Sequence, residues 1–510
     1  MAETILEQGT VLQEIRHAVR HTAVYGFGSV LVKAFGFFML PFYTHYLTPA
    51  DYGILEILDL SMSLIGMCLN MGIGAALMRY YAAAESAGSK KEVISTSFLF
   101  VVTSGGLIFM AALATLGPAS RFLFGPKVPS TYLLISVSSF ILAYISMVPR
   151  IYLRALQASR AVVMVDTVSV FCMLVLNIYF IGVLKIGLRG ILFSALLVTA
   201  VQVLVLSVWL LRTVGVSFSG VLLQKMMRFG APLVLSNLAA FTLNFSDRFF
   251  LQQTRSLAVV GIYAVGYKFG FMLNYLLMQP FCAMWEPRRY VIYENAGYPA
   301  VFGQVFMLYS LVLTYAWLAL AVLSPEVVRV LVSAEFSSAQ YVIPIVAMAY
   351  VAWGIGYHSQ LGMLLKNRTR MVGGISAGAV VLNLALNYVL ILHFGMLGAA
   401  WATLLSFAGI AVASYVFSQR VLRLPLGGGR VLVAISVAIG LYLVSRWTND
   451  LPILFTLLSK GVLLAAFPVL VWKSKLLSQA EMATIVSTSN GVVTRLLEML
   501  HIPSGKALKS

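Results

Sequence analysis

Long apolar runs follow one another along this chain, parted by short polar breaks. Each run is long enough to cross a hydrocarbon core of roughly 30 Å as a helix. Fourteen runs are read, centred near residues 34, 65, 104, 141, 172, 201, 238, 270, 312, 353, 381, 409, 438 and 463. The pattern predicts an all-α polytopic membrane protein with fourteen transmembrane helices. About twenty polar residues precede the first run, so it does not read as a cleavable signal peptide.

The chain matches itself at offsets of 204 to 210 residues. Asn177-Ile-Tyr-Phe-Ile before Gly187-Leu-Arg-Gly190 parallels Asn387-Tyr-Val-Leu-Ile before Gly395-Met-Leu-Gly398. Tyr25-Gly26 corresponds to Phe229-Gly230, Tyr52-Gly53-Ile54 to Val260-Gly261-Ile262, and the basic turn ending at Arg160 to that ending at Arg370. Each half holds six spans. Six is even, so the two repeats are parallel, related by an axis along the membrane normal, and one can rock against the other around a site at their interface.

The expected organisation is an interfacial, cytoplasmic N-terminal segment (1–20), an N-lobe of spans 1–6 (21–213) and a C-lobe of spans 7–12 (225–419). Two further spans follow (430–473), then a cytoplasmic tail (476–510) with apolar residues at helical spacing. Residues 425–430, Pro-Leu-Gly-Gly-Gly-Arg, read as a flexible joint.

Composition agrees with the pattern: 60% of residues are hydrophobic and 10% charged. The net charge of +18 changes the picture only through its distribution. With the N-terminus cytoplasmic, that side holds 24 of the 35 Lys and Arg and the opposite side 8. The basicity is therefore topological, as the positive-inside rule expects, and does not point to nucleic acid. Both termini are expected in the cytoplasm. Cys68, Cys172 and Cys282 fall within spans and form no disulfide or metal pattern. No G-x-x-x-x-G-K-[ST] motif encodes an ATP site. The outer connections are under twenty residues, too short for the acids, bases or metals of a glycosyltransferase, ligase or polymerase. The chain is not expected to be an enzyme, and no metal or cofactor is expected beyond a coupling ion, Na⁺ or H⁺.

Charges at membrane depth carry the candidate chemistry, since each costs on the order of 2.5–3.5 kcal/mol at a span centre unless it meets a partner or a wet cavity. Lys33 lies roughly 18 Å from the inner end of span 1, and Lys268 about 17 Å from the outer end of span 8. Two cations at one depth, from different repeats, read as the lining of a central cavity, or as lysines that snorkel or pair with buried acids. An ammonium suits phosphate oxygens. Glu56 and Asp59 share a face of span 2, where they could bind a coupling ion, neutralise a lysine or complement the helix dipole. Asp247 is a third coupling candidate; with Arg248 it also reads as an interfacial clasp. Arg79 closes span 2 as a substrate contact or a positive-inside anchor. Asn244, Asn274 and Gln279 offer donors and acceptors for sugar hydroxyls, with Asn237 and His358 as further polar groups; each also reads as an interhelical hydrogen bond. Pro41, Pro232 and Pro280 are expected to bend spans 1, 7 and 8.

Several segments carry a family resemblance: Tyr25-Gly-Phe-Gly-Ser29, Leu47-Thr-Pro-Ala-Asp-Tyr-Gly53, Phe229-Gly-Ala-Pro232, Asp247-Arg248-Phe-Phe-Leu251, and Gly261-Ile-Tyr-Ala264 before Gly266-Tyr-Lys268. The chain resembles the polysaccharide transporter (oligosaccharide flippase) family, within the superfamily of multidrug and toxic-compound extrusion proteins and lipid II flippases. The resemblance implies two six-helix bundles forming a V, here with two extra helices. It implies an export flippase in a bacterial inner membrane, carrying undecaprenyl-diphosphate-linked oligosaccharide to the outer leaflet for O-antigen (lipopolysaccharide), capsule or exopolysaccharide assembly. Lys33 and Lys268 would then shield the diphosphate midway, and glycan polymerase or assembly proteins would be partners beside membrane lipids. A lipid II flippase fits the same pattern. A multidrug/cation antiporter is a further reading, although it would prefer acids where the lysines stand. A non-transporting scaffold stays open as well.

Overall fold

The computed structural model describes residues 39–482 except 450, 475, 479 and 480, and omits the side chains of 232, 233, 235 and 236. Residues 39–46 are helical, with Thr44 Oγ1 donating to the Pro41 carbonyl at 3.1 Å. There follow α1 (Pro49–Asn70), α2 (Ile73–Ala83), α3 (Ala87–Phe124), α4 (Ser130–Ala155), α5 (Ser159–Asn177), α6 (Leu188–Val214) and α7 (Gly220–Thr254). The second half holds α8 (Leu257–Leu273), α9 (Gln279–Tyr293), α10 (Tyr298–Leu331), α11 (Val342–Ser359), the short α12 (Leu361–Leu365), α13 (Thr369–Val421), α14 (Gly428–Arg446) and α15 (Ile453–Lys473). Wider π turns occupy Ile178–Val183 and Asn274–Met278. The protein is an all-α, multi-pass membrane protein.

Among the described residues, eleven helices are long and apolar enough to cross a membrane. One of them, α13, merges the eleventh and twelfth expected spans across Gly395. The seventh expected span is α7, and the first lies mostly outside the described residues.

Local chemistry sets the boundaries. Thr48 and Asp51 form a reciprocal capping box at the start of α1, with Pro49 in its first turn, where a missing N–H costs nothing. Met71 and Gly72 then adopt φ of 41° and 68°, which breaks the second span into α1 and α2. The repeat is visible in the backbone. Gly187 and Gly395 share one left-handed conformation, φ 58° and ψ −136° against φ 56° and ψ −130°. Gln157 and Asn367 match at φ 55° and 56°. Around them Ala158 N donates to Leu153 O at 3.0 Å, and Arg368 N to Met363 O at 2.8 Å. These are paired helix-ending turns of the kind that satisfies the last carbonyls of a helix.

The chain divides into two compact units. The first comprises the described part of Met1–Val265 with Arg329–Ser337. One of its core clusters joins Ile73, Leu77, Ile94, Phe98, Tyr144, Val148 and Leu210, and Tyr144 donates to the Leu69 carbonyl at 3.1 Å. Apolar side chains such as Leu107 and Phe122 point outward on α3, as a lipid-facing surface requires.

The second unit comprises Gly266–Val328 and the chain from Ser338. There α8 lies against α11. A Cβ on Gly266 would fall 2.8 Å from Val342 Cβ, and one on Gly270 2.7 Å from Val346 Cγ1. Tyr267 and Tyr350 join their hydroxyls at 2.8 Å. Residues 425–430, read from sequence as a joint, are anchored at Leu426. Gln419 makes two hydrogen bonds to Leu424 (2.7 and 2.9 Å), Leu426 is buried, and Pro425 O would lie 2.5 Å from a Cβ on Gly303. Gly427 takes a left-handed conformation (φ 64°), and a Cβ on Gly428 would lie 2.9 Å from the Tyr415 ring. Arg430 reaches Glu481 Oε2 at 2.9 Å; the expected surface helix of the tail falls largely outside the described residues.

Lys460 of α15 is fully buried, and its ammonium lies 2.7 and 2.8 Å from the two carboxylate oxygens of Glu326 on α10. Removing one partner strands a charge in an apolar surround, at a cost of about 3–5 kcal/mol. Lys460→Met should lower the thermal unfolding midpoint in detergent, and adding Glu326→Gln should recover most of the loss. Equal midpoints for single and double variants would show that the pair is not coupled.

Candidate functional site

One candidate site is a buried charged network in the first unit, where α1, α7 and α8 meet. The capping box at Thr48 sets the start of α1 and so fixes the height of Glu56, two turns along. Asp247 and Arg248 lie near the end of α7, and Tyr263 two turns into α8. All four are buried. Arg248 Nη1 donates to Asp247 Oδ1 and to the Asn244 carbonyl, both at 2.7 Å, and Arg248 Nε lies 3.7 Å from Glu56 Oε1. Tyr263 donates a hydrogen bond to Asp247 Oδ2. The guanidinium stands over the Phe245 and Tyr263 rings at 5.3 and 5.1 Å. One arginine thus serves carboxylates from both sequence repeats.

Backbone contacts bracket this network. A Cβ on Gly53 would lie 1.9 Å from Leu257 O, and a Cβ on Gly261 2.0 Å from Pro49 O. These two glycines hold equivalent positions in the two repeats and pack directly against each other's helix. Farther along, a Cβ on Gly230 would lie 2.2 Å from Met71 O. Beyond that, the Arg79 guanidinium stands 4.4 Å above the Phe229 ring, and Tyr80 donates to Lys225 O at 3.4 Å. The second span therefore touches α7 and the start of α8 at several levels.

Of the expected ion-coupling acids, Glu56 and Asp247 both face Arg248. Asp59 is exposed, although its neighbours from Glu56 to Leu60 are buried. Asn244 contributes its carbonyl to Arg248, while its side-chain amide donates to Ala240 O at 2.8 Å.

The second unit presents a different feature along α8 and α9. From Tyr263 to Gly270 every residue is buried except Lys268, which is exposed. Exposed polar groups continue at one- or two-turn spacing through Tyr275, Gln279 and Glu286. The expected sugar-contacting residues Asn274 and Gln279 bound the π turn: Gln279 N donates to Asn274 O. Pro280 follows at once, in the first turn of α9, where its missing N–H is tolerated. Such turns concentrate at functional sites. On α11, Tyr357 donates a hydrogen bond to Glu286 Oε1.

Other polar groups are packed away. His358 is buried against Trp285 and Phe306, with ring centroids at 5.2 and 5.5 Å. Asn387 donates to Asn383 Oδ1 at 2.9 Å and Asn383 to Ser406 Oγ at 3.3 Å, a relay among buried side chains. Lys33 and the Pro232 side chain lie outside the described residues. Tyr263, Glu286 and Tyr357 were given no role from sequence, Tyr263 standing only within the Gly261-Ile-Tyr-Ala264 segment, because each has its partner on another helix. Among the described residues no group of three His, Cys, Asp or Glu could hold a metal ion.

The sequence profile of polysaccharide biosynthesis proteins matches residues 18–288. Over 95 residues the chain is 38% identical to Agl15 of Haloferax volcanii, a probable low-salt glycan biosynthesis flippase. That stretch is 18% of this chain, and the chain spans about a fifth of the relative's length (20%). The solved structure of the lipid II flippase MurJ, in an inward closed conformation, aligns with a TM-score of 0.66 at 12% identity, over 89% of this chain and 99% of that one. An inward-facing multidrug resistance MATE family transporter of the MOP superfamily aligns at 0.59 and 15% identity, over 76% and 93%. The Vibrio cholerae MATE transporter VcmN aligns at 0.55 and 15%, over 80% and 97%. At these identities the structural likeness is one of fold. With more than half of its length matched by the profile, the chain belongs to the family of polysaccharide biosynthesis proteins and has the fold shared by MurJ and MATE transporters.

Proposed function

We propose that this protein is an export flippase that carries polyprenyl-diphosphate-linked oligosaccharide across a bacterial inner membrane for surface-polysaccharide assembly. The observation that carries the reading is Lys268, the exposed residue in a buried stretch of α8. A cation at mid-span needs a wet cavity or a counter-charge on its exposed side, and an anionic head group passing that side would meet the ammonium. A diphosphate is the anion that a lipid-linked glycan must bring through that depth, and the ammonium offers a compact counter-charge. Lys33 is the partner from the first repeat. Tyr275 and Gln279, the exposed polar groups next along the helix, supply hydrogen-bonding capacity for the first sugar. With both termini cytoplasmic, the Gly53–Gly261 contact and the Arg248 network belong to the outer half of the membrane. There they act as a latch that parts when the repeats rock outward. Engagement by Arg248 favours a latch role for Glu56 and Asp247, and Asp59, on the exposed side of α1, is proposed as the acid for a coupling H⁺ or Na⁺.

The Lys33→Ala/Lys268→Ala double variant should fail to complement a glycan-export defect while reaching the membrane in folded form. Single variants should fall between it and the parent. Full complementation by the double variant would remove the lysines from the pathway.

A further inference from the structure

Glu286 lies eighteen residues beyond Lys268, roughly 27 Å along a helix. It is exposed, yet it is not a loose surface acid, because Tyr357 on α11 fixes one of its oxygens by a hydrogen bond. One turn on, Arg289 donates to Tyr290 OH at 3.3 Å and holds its guanidinium 5.0 Å from that ring. Tyr290 is 48% exposed. The patch therefore combines a fixed carboxylate, a guanidinium, two phenols and an open aromatic face.

Within these four residues one carboxylate offsets one guanidinium, so they do not by themselves single out a diphosphate. Its hydrogen-bonding inventory is broad. The carboxylate accepts, the guanidinium donates and the phenols do both, which matches a ligand dense in hydroxyl and amide groups. Aromatic rings with a polar tip suit ligands that have both apolar and polar faces. We infer that Glu286, Arg289, Tyr290 and Tyr357 form a glycan subsite that contacts sugars distal to the diphosphate and selects substrates by their glycan. The inference rests on the flippase reading and deepens it. The distance to Lys268 requires a ligand several sugars long, so a short glycan held at Lys268 leaves the subsite empty.

The test uses the full chain in proteoliposomes with two probes, a polyprenyl diphosphate bearing one N-acetylhexosamine and one bearing a tetrasaccharide. Glu286→Gln and Tyr357→Phe should each slow translocation of the tetrasaccharide probe about tenfold, the effect of losing one charge-assisted hydrogen bond. The one-sugar probe should move at the parental rate, which also shows that the variants fold and cycle. Equal slowing of both probes, or of neither, would overturn the subsite. A parent that moves only the one-sugar probe overturns the subsite alone. A parent that moves neither overturns the flippase reading together with it.

Discussion

Gly261→Val is expected to abolish transport while the protein still folds and reaches the membrane. A side chain at Gly261 meets Pro49 O at 2.0 Å and Gly53 N at 2.9 Å, against an ordinary contact of 3.4 Å or more. Both neighbours are backbone, so no flexible side chain can swing aside. Helices α1 and α8 must part at this level, which costs about 1–3 kcal/mol as overpacking. That is enough to disfavour the closed arrangement without unfolding the chain. Gly53→Val should act alike, because its Cβ meets Leu257 O at 1.9 Å. Gly106→Val on α3, with nothing within 4 Å of its Cβ, should behave as the parent. The readout is a thiol at Ile57, which is fully buried, in a background lacking Cys68, Cys172 and Cys282. Gly261→Val should make Ile57→Cys react faster with a membrane-impermeant maleimide. Protection equal to the parent, together with normal transport, would refute the closure role.

Arg248→Met should be among the most destabilising single changes outside the apolar cores. It leaves Glu56 and Asp247 buried without their shared cation, a loss of about 3–5 kcal/mol. Arg248→Lys should recover only part of it. A lysine offers a single point of charge, whereas the guanidinium serves Asp247 and the Asn244 carbonyl from Nη1 and faces Glu56 with Nε. Combining Glu56→Gln, Asp247→Asn and Arg248→Met removes every charge and should restore most of the unfolding midpoint. Transport separates the two roles of the network. If it only held the fold, the neutral triple variant would transport normally; as a latch, its loss leaves transport impaired in a stable protein.

The sequence carried much of this fold because membrane helices announce themselves by length and because the repeat reuses special backbone positions. Gly187 and Gly395 were legible as G-x-x-G partners, and both proved to need the same left-handed conformation. Gly53 and Gly261 were legible as equivalents, but not as residues in mutual contact, since a linear pattern does not say which helices touch. The same limit hid the ion pairs. Lys460 was visible as a charge within a span; its partner Glu326 is 134 positions away. Asp247 and Arg248 were legible as an adjacent clasp, but not the approach of Glu56 to the same guanidinium from α1. Lys268 was the clearest candidate, because a cation in mid-span narrows its own surroundings to water or a counter-charge. The π turn at Asn274–Met278 left only Pro280 as a trace, a residue without the N–H that a continuous helix needs.

Translocation by the purified chain tests the central claim most directly. Proteoliposomes would hold a polyprenyl-diphosphate-linked oligosaccharide in both leaflets, with outward exposure of the glycan read by an enzyme that cannot cross the bilayer. The account predicts that the parent protein lets the enzyme reach the inner-leaflet pool, and that Lys33→Ala/Lys268→Ala leaves half of the glycan protected, as in protein-free vesicles. An inner pool that stays protected with folded parent protein present, across imposed proton and sodium gradients, would contradict it.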